Sequence, residues 1–229
     1  MRFAVFLLML TGVLAADGPG VMKSYRMDSD SPPAADPDAP RWNVQGVIAS
    51  NDRWGKPQPE ARTGIRSRWT RENLYFLFIS QYETLHLTPK PTPEKETWGI
   101  WEFDVVEVFI GHELEKINLY KEFEVTPQGE FVDLDVDKNK PGLTIDWLWD
   151  SKMKYKTGID RERKIWYCEM QIPWKGIDSR VPASGNELRM NLYRIEGAPP
   201  NRKFIAWQKV DAPSYHTPEA FGRLRLVER

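Results

Sequence analysis

The sequence predicts an all-β fold: an antiparallel β-sandwich of about ten strands in jelly-roll or immunoglobulin-like layers. Short runs rich in β-branched and aromatic residues recur, among them Leu74 to Ile79 (LYFLFI), Asp104 to Ile110 (DVVEVFI), Lys164 to Ile172 (KIWYCEMQI) and Leu188 to Ile195 (LRMNLYRI). The 18 Pro and 15 Gly punctuate these runs with turns. No segment of convincing length repeats its apolar residues at helical spacing, so strands follow strands and two packed layers are expected.

In chain order, Val44 to Ile48 is a weak strand and Asn51 to Glu60 a turn-rich loop. Thr63 to Trp69 alternates like a half-exposed strand, whereas LYFLFI is apolar on both faces and needs cover on each side. Gln81 to Thr97 carries three prolines and reads as a surface loop. Tyr120 to Val125 and Glu130 to Asp137 are the arms of a hairpin turned at Thr126 to Gly129. Asp133, Asp135 and Asp137 share one face of the second arm. Lys138 stands where a calcium loop of the EF-hand type needs Gly, so that face is read as solvated. Trp147 and Trp149 share a face if extended, and Pro173 stops the strand before it. Phe204 to Gln208 and Gly222 to Val227 supply the last strands, with single helical turns at Trp174 and at Pro218 to Phe221.

A chain of 229 residues suits one domain of this class. Its 32 basic and 33 acidic side chains nearly cancel, which leaves no field to favour nucleic acid or an anionic membrane. Met1 and Arg2, an apolar run from Phe3 to Leu14 and small residues at Ala15 and Ala16 have the order of a secretory signal peptide. The expected organisation is therefore a signal peptide at 1–16, a flexible Pro-rich leader at 17–40 and the domain at 41–229. The mature chain is expected to be secreted or periplasmic, with no membrane attachment after cleavage. Cys168, the single cysteine, excludes an intramolecular disulfide and reads as a buried, inert thiol.

The stretch from Trp98 to Ile110 draws attention because Glu107 interrupts a core strand, where an unpartnered carboxylate is costly. Trp101 stands six residues earlier, an even offset that shares a face with Glu107 if the strand begins that early. An indole beside a carboxylate suits a sugar: the ring packs on C–H groups while the carboxylate accepts from hydroxyls. The alternative is structural, with Trp101 packing at the rim and Glu107 paired to an Arg such as Arg194. Arg194, Trp207 and His216 also fall in polar, turn-like surroundings, where a guanidinium fork or an imidazole can meet ring hydroxyls.

The segments RSRWTRENLYFLF, WEFDVVEVFI, YKEFEVTPQGEFVDLD, WYCEMQIPW, LRMNLYRIEG, AWQ and YHTPEAFGRLRL follow one another from roughly Arg62 to Leu226. In that order the chain resembles a family 9 carbohydrate-binding module of the DOMON-like sandwich superfamily, of the exported bacterial type. The resemblance implies non-catalytic binding of a saccharide or polysaccharide between two tryptophan faces, in polysaccharide breakdown or uptake. Any glycoside hydrolase acting with it is then a separate chain. Trp101 and Glu107 resemble the family's first tryptophan and following carboxylate, and Asn191 its later asparagine. No Trp follows Asn191 closely, so Trp207 is the candidate second platform. The resemblance also implies a structural calcium, for which the sequence marks no ligand set.

Two other readings remain. Relatives in the superfamily hold b-type haem, for which Met170, Met190 and His216 are the available ligands. A glycosidase needs two carboxyl groups across a cleft, such as Glu107 and Glu169.

Overall fold

The computed structural model describes residues 20–141 and 144–228. The signal-peptide segment lies outside the described residues.

These residues form fourteen strands: β1 (Val21–Arg26), β2 (Val47–Ala49), β3 (Asn51–Asp52), β4 (Thr63–Trp69), β5 (Asn73–Gln81), β6 (Val105–Gly111) and β7 (Leu119–Val125) in the first half. In the second are β8 (Phe131–Asp137), β9 (Thr144–Asp146), β10 (Lys154–Asp160), β11 (Ile165–Pro173), β12 (Glu187–Glu196), β13 (Lys203–Ala206) and β14 (Gly222–Val227). The only helical pieces among the described residues are short 3₁₀ turns, including those expected at Trp174–Gly176 and Pro218–Ala220.

The all-β class is as expected, but the architecture is not two separate sheets of about ten strands. One hydrogen-bonded ladder runs β10-β11-β5-β4-β1-β14-β12-β6-β7-β8-β9, with β13 joining β12 and β3, and β2 joining β4. The ladder curls so that its two halves face each other. Phe76 and Phe78 of β5, Trp166 and Met170 of β11, Val106 and Val108 of β6, and Met190 and Leu192 of β12 belong to one interior core. Large side chains such as these contribute roughly 1.5–3 kcal/mol each when fully buried.

The join is β1, which pairs parallel with β14 on one side and with β4 on the other. It lies inside the segment expected to be a flexible leader, so that expectation is corrected. VMKSYR alternates, burying Met22 and Ser24 in a polar neighbourhood too short to stand out. The Pro-rich stretch after it is also fastened: Glu169 accepts from the backbone N–H of Ala34 and Ala35 at 3.0 Å, and Trp42 is fully buried.

Two further clusters cover the outer faces. Met27, Trp42, Tyr75 and Leu77 pack outside the β4–β5–β11 half. Phe109, Tyr120, Leu134, Tyr193 and Tyr215 pack outside the β12–β6–β7–β8 half. The hairpin of β7 and β8 turns as expected, with Gly129 at φ +89°, a left-handed conformation that favours glycine.

Candidate functional site

The period of two decides what the outer face of the second half presents. On β6, Val106, Val108 and Ile110 face the interior, so Val105, Glu107 and Phe109 face outward. On β7, Phe123 and Val125 face inward, so Tyr120, Glu122 and Glu124 face outward. Register then aligns them: Glu107 stands opposite Glu124, and Phe109 opposite Glu122. On the other side of β6, Tyr193 of β12 stands opposite Glu107.

The three glutamates form the floor of a cavity of about 260 Å³. Trp98 and Trp101 line its mouth, Phe204, Pro213, Tyr215 and His216 one wall, and Ile145 the other, with Arg53 at the edge. Trp98 and Trp101 meet edge to face at 4.7 Å, and exposed Trp147 contacts Trp98 at 6.0 Å. The loop is fixed from several directions. Gly99 adopts φ +86°, Ile100–Glu102 forms a 3₁₀ turn, Arg202 donates to the Trp101 carbonyl, and buried Asp104 accepts from Gly197 N–H at 2.7 Å. Trp101 and Glu107 thus line one cavity, although by a different route from an extended strand: β6 begins only at Val105.

Electrostatically the floor is under-compensated: the charge of Arg202 lowers Glu107 by less than burial and Glu124 raise it. Glu107, Glu122 and Glu124 are 2%, 3% and 1% exposed, and no ion pair among the described residues includes Glu107 or Glu124. Glu122 faces the His216 ring, Nε2 to Oε2 at 3.8 Å, and shares a hydrogen bond with Glu124. Burial raises all three carboxyl groups: Glu107 further through Glu124, Glu124 further through Glu122, and Glu122 to about 8. His216 moves the other way, down to about 4, through burial and then Lys138. Its Nδ1 shares a hydrogen bond with the Tyr120 hydroxyl, 2.8 Å away.

Of the other expected site residues, only His216 lines this cavity. Asn191 points to the same face, opposite Phe109, but both ends of its amide hold Gln208: Nδ2 donates to the carbonyl at 3.0 Å and Oδ1 accepts from the N–H at 2.9 Å. Arg194 lies on the other face. It is buried beside Glu196, Nη2 to Oε2 at 3.3 Å, and donates to Ala61 O and Thr63 Oγ1, so it does not neutralise Glu107. Trp207 packs on the interior core. What the sequence reading missed was Glu122 and Glu124 as floor and Trp98 as the indole beside Trp101. The alternation of KEFEV marked both glutamates as sharing a face, but only the register with β6 brings them to Glu107.

The same parity separates the residues of the other readings. Met170 and Met190 pack in the interior core while His216 sits outside the sheet, so no haem ligand pair converges. Glu169 belongs to the outer face of the opposite half, where Arg41 pairs with it at 2.8 Å, and cannot share a cleft with Glu107.

Asp133, expected on a solvated face, is instead buried. It accepts from Ser151 N–H at 3.2 Å, and its Oδ1 is buried without a hydrogen-bond partner. One oxygen from each of Glu96, Asp133 and Asp150 lies within 4.8 Å of the other two. Hard oxygen donors with an orphaned buried atom are of the kind that divalent cations take. Asp135 and Asp137 pair instead with Lys121 and Lys140.

A family model described as carbohydrate family 9 binding domain-like matches residues 39–229. The chain belongs to that family. Among solved structures, this family 9 domain resembles a putative carbohydrate-binding protein from Bacteroides uniformis at TM-score 0.72 and 15% identity, over 91% of this chain and 100% of the other. It resembles a family 9 module from Caldicellulosiruptor kristjanssonii, solved with cellotriose, at TM-score 0.62 and 17% identity, over 92% and 95%. In sequence it is 23% identical over 190 residues to endo-1,4-beta-xylanase A of Thermotoga neapolitana, covering 82% of this chain but 16% of the xylanase. An extracellular protein of Arthroderma benhamiae is 26% identical over 199 residues, covering 81% of this chain and 87% of that protein.

Proposed function

We propose that this family 9 domain is a non-catalytic saccharide-binding module whose ligand enters the cavity between Trp98, Trp101 and the carboxylate floor. The observation that carries this reading is two indoles at the mouth of an open cavity, directly above buried acidic groups. Trp101 supplies a face for the C–H side of a sugar ring, Trp98 supports it edge-on, and Glu107, Glu122 and Glu124 exchange hydrogen bonds with its hydroxyls. Stacking and a few hydrogen bonds, less the cost of ordering, suit affinities of roughly micromolar to millimolar. The C. kristjanssonii modules, solved with glucose and with cellotriose, make glucose-based chains the first ligands to test.

The reading includes export, supported by the charged, apolar and small-residue order of Met1 to Ala16. It includes a stabilising calcium held by Glu96, Asp133 and Asp150, supported by the orphaned Asp133 oxygen. The ion would tie β8 to the loop before β6 and the loop after β9 and takes no part in binding sugar. Calorimetric titration of the full chain with glucose, cellotriose and xylo-oligosaccharides tests the proposal. Saturable binding that Trp101→Ala weakens supports it, and wild-type protein that binds none of them overturns it.

A further inference from the structure

Among the described residues, the other strongly buried carboxylates each have a partner that is not a carboxylate: Glu169 has Arg41, Glu196 has Arg194, Asp104 has Gly197 N–H, Glu130 has the Thr126 hydroxyl and Asp133 has Ser151, although Asp104, Glu130, Asp133 and Glu196 also keep one buried oxygen without a hydrogen bond. On the cavity floor the carboxyl groups chiefly face one another. Glu107, Glu122 and Glu124 converge with one oxygen each within 4.8 Å of the others, and Glu122 Oε2 and Glu124 Oε2 are buried without a hydrogen-bond partner. The charged and titratable groups around them are Arg53, Arg202, His216, Tyr120, Tyr193 and Tyr215. Both arginines are engaged elsewhere: Arg53 with Pro213 O and the Phe204 ring, Arg202 with Glu102 and Trp101 O.

From this we infer that the cavity selects a sugar carrying a primary ammonium group, an amino sugar, over its neutral counterpart. The inference rests on the saccharide reading above and adds the charge of the ligand. An ammonium has three N–H donors and no acceptor, and at N···O distances of about 2.8 Å a tetrahedral nitrogen sets three acceptors about 4.6 Å apart. The floor brings one oxygen from each of three carboxyl groups within 4.8 Å of the others, a span an ammonium can bridge. A neutral hydroxyl has one hydrogen to donate and leaves most of them unmet. The roughly 260 Å³ of space above the floor, walled by Trp98, Trp101, Phe204 and Tyr215, is far more than a bare metal ion fills and presents ring faces that attract a cation. Burial raises all three carboxyl groups, Glu122 to about 8, so an ammonium that draws negative charge onto the floor is expected to displace a proton.

The test is titration calorimetry of the full chain at pH 7 with D-glucosamine, with D-glucose and with calcium chloride alone, repeated in two buffers of different ionisation enthalpy. D-Glucosamine is expected to bind at least tenfold more tightly than D-glucose and to release protons, which D-glucose does not. Glu124→Gln, checked for folding by its melting temperature, is expected to bring the ratio between the two sugars below threefold. Glu107→Gln is the second variant. Glucose binding equal to or tighter than glucosamine overturns the inference and leaves the saccharide reading standing. Absence of binding to either sugar and to neutral oligosaccharides overturns both. Calcium binding that disappears in Glu124→Gln and persists in Asp133→Asn assigns the floor to a metal and overturns it as well.

Discussion

Glu107 on β6 and Glu124 on β7 are direct cross-strand partners, two buried carboxyl groups facing each other with no base between them. Like charges opposite one another on a sheet are destabilising, and burial multiplies the effect. Burial, with Glu124 acting on Glu107 and Glu122 on Glu124, pushes both carboxyl groups well above the usual carboxylate range, and burial raises Glu122 beside them to about 8.

That arrangement fixes a sign. A carboxyl group whose pKa is raised by folding binds more protons folded than unfolded, so its cost appears as pH climbs above its unfolded value of about 4.5 and grows up to the folded value. Glu122→Gln, which mimics the protonated acid, is therefore expected to melt close to wild type at pH 4.5 and several degrees higher at pH 8. Each kcal/mol corresponds to about 2–4 °C in a chain of this size. Thermal melts of both proteins across that range check it; a variant less stable at pH 8 would refute it.

Trp98 and Trp101 differ in burial, and their replacement should differ accordingly. Trp101 is half-buried against the outer cluster and held through its carbonyl, whereas Trp98 is 50% exposed and touches it edge-on. Trp101→Ala is expected to weaken saccharide binding by tenfold or more, about 1.4 kcal/mol, with some loss of melting temperature. Trp98→Ala should weaken binding by less than that and leave the melting temperature within a degree or two. Affinity electrophoresis alongside thermal melts separates the two effects.

Much of the fold was legible because strands announce themselves by composition: LYFLFI, DVVEVFI, KIWYCEMQI and LRMNLYRI all became long, buried strands. β1 was not, because only Met22 and Ser24 of its six residues are fully buried and its neighbours come from the far end of the chain. The site was half legible. Trp101 and Glu107 lie on one segment, and their conflict with a core strand is visible locally. Glu122 and Glu124 join them only through register, and Arg194 leaves them only through parity. Sequence spacing alone carries neither relation.

Arg194 yields a prediction because it stands apart from the site. It lies between Glu196 at 3.3 Å and the charge of Asp104, all in the interior. Arg194→Met removes the buried cation between those carboxyl groups, leaving Glu196 only the more distant charge of Lys203, a change of about 3–5 kcal/mol. The melting temperature should fall by roughly 6–20 °C. Saccharide affinity, measured well below the transition, should stay within threefold of wild type. A selective loss of affinity without loss of stability would instead place the guanidinium at the ligand.

The last expectation concerns Asp133, whose Oδ1 is buried without a partner between Glu96 and Asp150. Desolvation, followed by Asp133 and Asp150, raises Glu96 to about 7, against the single cation Lys152, which pairs with Asp150 at 2.5 Å. An ion that binds only the folded protein stabilises it by mass action, about 2.7 kcal/mol at a concentration one hundred times its dissociation constant. Calcium chloride is therefore expected to raise the melting temperature, and chelator to reverse the rise. Asp133→Asn should be insensitive to both while retaining saccharide binding, since Asp133 and the cavity floor lie on opposite faces of the sheet. Melting curves that calcium and chelator leave unchanged in the wild type would remove the ion from this place.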